Sequence, residues 1–203
     1  MKILGIDLAG KPENPTGISI LNVSDDLKIL DIKFDIFYED EEILKKTDMI
    51  SPSLITIDAP LSLPKGRCCL SKDCSCSKLG GHFREAEREI RKYGSVLPLT
   101  FRGMRMLTER GIGLSNRLKG KYKVIEVHPR TVQKVLGFDD LYRDLSKYFK
   151  LHDGVTEHEL DAALTAITGF FYLKNCYMKF GNPEEGIIII PKGINCLKKL
   201  FEG

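Results

Sequence analysis

The chain has 203 residues, of which 42% are hydrophobic and 29% charged. This is enough for one domain with a buried core, and a net charge of +3 neither requires nor excludes a polyanionic partner. No apolar run approaches the about 20 residues of a membrane span, and the N-terminus lacks the features of a signal peptide. We therefore expect a cytoplasmic protein without membrane contact, whose cysteines are thiols or metal ligands rather than disulfides.

The N-terminal segments predict strands more than helices. Residues 2–8 and 16–23 are apolar and β-branched and flank a loop that contains Gly and Pro, and residues 28–38 alternate apolar and polar side chains from position 30 onward. Together they predict an antiparallel three-strand meander. A charged segment, EDEEILKKTDMI, then predicts one or two helical turns, and residues 54–58 predict a fourth strand that Pro60 ends.

Residues 61–100 differ from their surroundings in composition. They contain several Gly and Pro residues, four cysteines and a short charged helix, FREAEREIRKY. We interpret them as an insertion within a single domain that spans residues 1–203.

Strands and helices alternate in the remainder of the chain. The predicted elements are a helix over 102–119, a strand in KVIEV, helical stretches over 130–136 and 139–150, a long helix that begins at Thr156, and a last buried strand in GIIIIP. Thr156 and Glu159 have the spacing of a capping box. A meander followed by alternating strands and helices predicts a mixed α/β sheet, antiparallel in the meander and parallel beyond it, with helices on both faces.

Carboxylates occupy comparable places in several of these elements. Asp7 and Asp58 end the first and fourth strands, Glu126 lies in KVIEV, and Asp161 lies near the start of the long helix. If the strands run parallel, these side chains gather at one edge of the sheet, where like charges persist only with a cation, and oxygen ligands select Mg²⁺ or Mn²⁺. Each aspartate alone is also compatible with a turn cap. Helical spacing turns His158 somewhat aside from Asp161.

Basic and polar residues flank these carboxylates. His128 is a candidate for moving a proton or orienting a phosphate, and a surface histidine without such a role is the alternative. Lys11 and Thr16 bracket the first loop, and Arg102 and Arg130 lie later in the chain. All four are candidates for contacts with phosphate. For the basic residues of the 102–121 segment, a solvated helix face is the more common explanation.

The insertion carries a dense group of metal-ligand residue types. They are Cys68, Cys69, Cys74, Cys76 and His82. Thiolates at this density are compatible with a structural Zn²⁺, although the spacing is not the usual pair of C-x₂-C knuckles, and free or partly paired thiols remain the alternative. The other two cysteines are expected to be thiols without a partner; they are Cys176 and Cys196.

Several segments together resemble a known family. GIDLAG and TGISIL resemble the first hairpin of the ribonuclease H-like superfamily, in particular its Holliday-junction-nuclease branch. The whole series is similar to the DUF429 family of predicted nucleases; it comprises GIDLAG, IDAPLSLP, FRGMRMLTERGIGL, VIEVHPRTVQKVLG, HELDAALTAITGF and GIIIIP. The resemblance implies a ribonuclease H-like fold and a metal-dependent nuclease in which Asp7, Asp58 and Asp161 bind the metals. Glu126 lies on the fifth strand, a less common place for a ligand.

Three functions are compatible with this sequence. The first is a divalent-metal-dependent nuclease acting on DNA or RNA. The second is a nucleotide-phosphate-binding protein of the actin and sugar-kinase type, although those proteins use two such domains and a second copy of the hairpin is not present in the sequence. The third is a non-catalytic nucleic-acid-binding module on the same fold.

Overall fold

Seven strands form one sheet in the computed structural model, which describes residues 1–200. The strands are β1 (Lys2–Asp7), β2 (Thr16–Val23), β3 (Ile29–Phe37), β4 (Leu54–Asp58), β5 (Val124–Val127), β6 (Tyr177–Asn182) and β7 (Gly186–Pro191). Their order across the sheet is β3-β2-β1-β4-β5-β7-β6. The expected single domain extends to residue 203, and its last three residues lie outside the described part.

The directions of the strands confirm the predicted mixed sheet. β1, β2 and β3 form an antiparallel meander, and β1, β4, β5 and β7 are parallel to one another in that spatial order. β6 pairs antiparallel with β7 at the far edge. The carboxyl ends of the parallel strands therefore lie along one edge of the sheet.

Helices cover both faces of this sheet. They are α1 (Asp40–Ile50), α2 (Glu85–Ile90), α3 (Arg102–Lys119), α4 (Pro129–Leu136), α5 (Leu141–Leu145) and α6 (Glu157–Leu173). The apolar face of α6 packs with Ile3 and Leu54 in one core cluster, whereas Ile6 and Ile57 pack with residues of α1 and α3 in the other. Within residues 1–200, none of the helices has both the length and the apolar character that crossing a bilayer requires.

Several elements differ from their predicted bounds. α1 runs for 11 residues instead of one or two turns, because Glu39 and Glu42 close a capping box at its start. α5 ends at Leu145, well short of residue 150. β6 was not predicted, since its six residues contain no clear alternation; it is a strand because β7 provides its hydrogen-bond partners.

The prediction that Cys176 and Cys196 are unpaired thiols is wrong. They form a disulfide, with Cα atoms 5.8 Å apart, a separation that suits such a bridge. Cys176 precedes β6 and Cys196 follows β7, so the β6–β7 hairpin brings the two together. The broader expectation that this chain would form no disulfides rested on its compartment and not on geometry, and it is wrong as well.

Candidate functional site

Asp7 and Asp58 lie side by side at the carboxyl edge of the sheet. They are paired in the register of β1 and β4, so their side chains project from the same face of the sheet. Burial raises the pKa of Asp7, although His158 opposes that rise. Burial and the negative charges of Asp7 and Asp161 hold the pKa of Asp58 well above its usual range. The two aspartates therefore cannot both ionise easily unless a positive charge is brought to them.

Two glycines allow α6 to approach this edge closely. A Cβ on Gly5 of β1 would overlap the carbonyl oxygen of Ala162, and a Cβ on Gly17 of β2 would overlap the carbonyl oxygen of His158. Only a residue without a side chain permits such an approach. The start of α6, held by the Thr156 capping box, thus lies directly over the ends of β1 and β2.

This approach brings His158 into contact with Asp7. Its Nδ1 lies 2.7 Å from Oδ2 of Asp7, and about half of the histidine side chain is exposed. Helical spacing turns His158 aside from Asp161 but carries no information about Asp7, so this contact was not predicted. The Thr156 cap determines where His158 lies on the first turn of α6, and Gly17 in TGISIL was the signal for the close contact with β2.

Asp161 faces the same region from the second turn of α6. Burial and the negative charge of Asp7 raise its pKa to about 6. Arg130 is exposed in the first turn of α4, and its positive charge acts to lower the pKa of Asp7, Asp58 and Asp161 alike. The described residues therefore place one guanidinium close to three carboxylates.

Glu126 lies near this group, since its negative charge also raises the pKa of Asp58 and it lines one cavity with Asp58 and Asp161, but its carboxylate has other partners. In the register of β4 and β5 it pairs with Ile57 rather than with Asp58, and since side chains alternate along a strand it projects from the opposite face. There its carboxylate accepts hydrogen bonds from the Arg84 guanidinium and, at 2.9 Å, from the Leu61 N–H. Arg84 is fully buried and also pairs with Glu87. The contacts of Glu126 are those of a structural ion pair.

His128 lies at the start of α4, directly after β5 and at the same carboxyl edge of the sheet as the aspartates. Its Nδ1 accepts from the Thr131 N–H at 3.3 Å and lies 2.9 Å from the Thr131 hydroxyl. Burial lowers its pKa to about 4, so the ring is neutral at pH 7. His128, Arg130 and Asp161 line a cavity of about 750 Å³, and the same three line a second one of about 280 Å³ that reaches Asp58.

The other predicted phosphate contacts lie in different surroundings. Thr16 is fully buried and its hydroxyl accepts from the Ala9 N–H at 3.2 Å, so it stabilises the first loop. Lys11 is exposed in that loop, and Arg102 is exposed at the first turn of α3. Gly10 of the loop lies against the backbone of α3 near residues 103–107, so both basic residues lie toward the aspartates' edge of the sheet.

The four cysteines of the insertion converge. They are Cys68, Cys69, Cys74 and Cys76, and their sulfur atoms all lie within 4.8 Å of one another. His82 does not join them, because its Nδ1 lies 2.7 Å from the Thr100 hydroxyl. Among residues 1–200, this is the one set of three or more Cys, His, Asp or Glu side chains whose ligand atoms converge closely enough to hold a metal ion.

The chemistry of the aspartate group fits a hard divalent cation. Asp7, Asp58 and Asp161 offer oxygen atoms only, which Mg²⁺ and Mn²⁺ prefer. Burial raises the pKa of all three, and repulsion from neighbouring carboxylates adds to the rise at Asp58 and Asp161, as expected for carboxylates gathered without enough positive charge. A bound cation would remove that repulsion.

Comparison with known proteins supports the fold. The structure is similar to T. thermophilus RuvC in complex with a Holliday junction substrate, with a TM-score of 0.50 and 12% sequence identity over 86% of this chain and 96% of that chain. The similarity confirms the expected ribonuclease H-like fold. No family model matches the chain, and no curated protein sequence matches it either.

Proposed function

We propose that this chain is a divalent-metal-dependent nuclease of the ribonuclease H-like superfamily and a cytoplasmic member of the DUF429 family. The observation that carries the proposal is the position of Asp7 and Asp58 on adjacent strand ends with Asp161 above them on α6. Carboxylates gathered at the carboxyl edge of such a sheet are a site for ligands and cations.

The three aspartates are the residues that would hold Mg²⁺ or Mn²⁺. When bound, such a cation polarises a phosphodiester and lowers the pKa of water at the site. His158 holds the Asp7 carboxylate in one orientation through its hydrogen bond, as outer partners of metal ligands do. The chain thus supplies both the ligands and a residue that positions one of them.

The basic residues around the aspartates suit a nucleic-acid backbone. Arg130 is exposed beside the carboxylates, and it lines the larger cavity together with Lys134 and Tyr93. Cations contact phosphates, and an aromatic ring provides a stacking surface for a base. His128 is neutral at pH 7 and its Nδ1 faces Thr131, so proton exchange there would use Nε2.

The substrate class follows from the same surface. The similar structure is that of RuvC in complex with a Holliday junction substrate, and we propose DNA or RNA, including branched DNA, as the substrate of this chain. Arg130 and Lys134 line the larger cavity together with Asp161, so cationic side chains that suit phosphates lie beside a proposed metal ligand.

A cleavage assay tests this function. Labelled single-stranded, duplex and branched DNA, RNA and an RNA–DNA hybrid are incubated with the protein in Mg²⁺, Mn²⁺ or EDTA. We expect cleavage that requires the cation and is lost in Asp7→Asn, whereas Asp153→Asn, which removes the same charge from an exposed loop, retains it. The proposal fails if folded protein neither cleaves any substrate nor binds Mn²⁺ at millimolar concentration. Cation-independent binding without cleavage would indicate the non-catalytic module, and stoichiometric ATP binding the nucleotide-binding alternative.

A further inference from the structure

The four cysteines of the insertion are separate from the aspartate site and carry an inference of their own. We infer that Cys68, Cys69, Cys74 and Cys76 bind one structural Zn²⁺ through four sulfur ligands. The site would order residues 67–76 and would take no part in the chemistry at the aspartates.

The distances between the sulfur atoms suit a single tetrahedral ion. With Zn–S bonds of about 2.3 Å, sulfur ligands at tetrahedral angles stand roughly 3.8 Å apart. In the structure Cys68 and Cys74 are 3.6 Å apart, Cys69 and Cys76 are 3.8 Å apart, and Cys74 and Cys76 are 3.3 Å apart. Adjacent Cys68 and Cys69 therefore both reach the same point, which their sequence positions left open. In a [4Fe–4S] cluster, by contrast, each cysteine binds a separate iron atom, so the sulfur ligands stand farther apart.

Protein contacts hold the loop in this arrangement. The Arg67 guanidinium donates to the carbonyl oxygens of Gly81 at 3.1 Å and Ser71 at 3.2 Å, and so links the two sides of the loop. Gly66 adopts a left-handed conformation (φ 81°) and lies against the backbone of Leu79, an approach that a side chain would prevent. The sulfur atoms are thus gathered by backbone and guanidinium contacts in addition to any metal.

The position of the loop indicates what the metal would stabilise. Lys72 of the loop lies beside Arg102 and Arg105 of α3, around a shallow cavity of about 480 Å³. A backbone hydrogen bond of 2.9 Å from Leu99 to His82 joins the insertion to the segment before α3. Zinc would therefore fix one side of a basic surface next to α3.

Metal analysis tests the inference on the whole protein. The chain is purified in a thiol reductant, supplied with Zn²⁺, and passed through a desalting column before elemental analysis. We expect one zinc per chain in the wild type and in Asp7→Asn. Cys74→Ser should lose most of the bound zinc. Ser75 is exposed and lies between Cys74 and Cys76 in the chain. The control variant Ser75→Ala should therefore retain the metal. Because these readouts do not involve nuclease activity, they remain valid if the proposed function fails.

Cobalt substitution provides a second measurement that needs no variant. Wild-type protein loaded with Co²⁺ should show the intense visible bands of tetrahedral cobalt and the ultraviolet absorption of cobalt–thiolate bonds, and Zn²⁺ should bleach both. Zinc content far below one per chain together with no thiolate absorption would overturn the inference, as would stoichiometric iron in place of zinc. Four titratable free thiols in protein incubated with Zn²⁺ would overturn it as well.

Discussion

Nδ1 of His158 lies 2.7 Å from Oδ2 of Asp7, although 151 positions separate the two residues in the chain. The contact joins the start of α6 to the end of β1. It exists because Gly17 leaves room for the backbone of His158 over β2. Two of the three elements that supply the proposed metal ligands are thus held together by a contact to one of those ligands.

Replacing His158 should weaken cation binding at the aspartates. We expect His158→Ala to lower Mn²⁺ affinity or cleavage by about 10- to 100-fold, the usual effect of removing a partner that orients a metal ligand. Titration calorimetry with Mn²⁺ measures the affinity. His152→Ala, which removes an exposed histidine packed against Phe34, serves as the control and should leave it unchanged. Equal affinities in both variants would show that the Asp7 contact does not position the ligand.

Removing the charge of Asp161 should stabilise the cation-free protein. Its pKa is raised from 3.8 to about 6, so the native state binds more protons than the unfolded chain between these pH values, and the contribution of Asp161 to stability falls as the pH rises through that window. In EDTA at pH 7.5, Asp161→Asn should raise the free energy of unfolding by about 1–3 kcal/mol.

The dependence of the stability difference on pH and on Mn²⁺ distinguishes this effect from a general gain in stability. The difference between Asp161→Asn and the wild type should vanish as the pH falls toward 4, and millimolar Mn²⁺ should stabilise the wild type more than the variant. Urea unfolding at several pH values measures both. An advantage of Asp161→Asn that is the same at every pH would contradict the raised pKa of Asp161.

Breaking the Arg84–Glu126 pair should affect stability rather than cation binding. Arg84→Ala leaves Glu126 and Glu87 without their buried partner, and we expect a loss of about 3–5 kcal/mol. Arg88→Ala, in the helix α2 that Arg84 caps and more than half exposed, should change stability by about 1 kcal/mol or less. The Glu126→Gln variant should bind Mn²⁺ with the same affinity as the wild type. Loss of that affinity would mean that Glu126 is a metal ligand although it projects from the face of the sheet opposite to Asp58.

An alanine at Gly5 should separate α6 from the sheet. The added Cβ would overlap backbone atoms of Ala162 and Ala166, which cannot move aside as a flexible side chain can, and we expect a loss of about 1–3 kcal/mol together with weaker Mn²⁺ binding. Gly113→Ala adds the same atom to an exposed helix position with nothing within 4 Å and should raise stability by up to about 1 kcal/mol. If Gly5→Ala is as stable as the wild type, the close approach of α6 is not required.

Local sequence patterns were sufficient to predict the helices whose periodicity and capping residues lie within their own segments. The bounds of α3 coincide with the predicted 102–119, and Thr156 and Glu159 form the predicted capping box. Side-chain periodicity and end-capping are properties of short segments, so they can be predicted without tertiary contacts. β6 has no such pattern, and the pairing that makes it a strand comes from β7.

The sequence by itself determined the mixed sheet, the helices on its two faces and the placement of Asp7 and Asp58 at strand ends, because alternation, turn residues and caps act over a few residues. Only the tertiary structure decided that Glu126 faces Arg84, that His158 contacts Asp7 and that Cys176 is bonded to Cys196. Each of these depends on the register between strands or on how closely two distant elements approach. A shift of one residue in register moves a side chain to the other face of the sheet, and no local pattern specifies which residue it then meets.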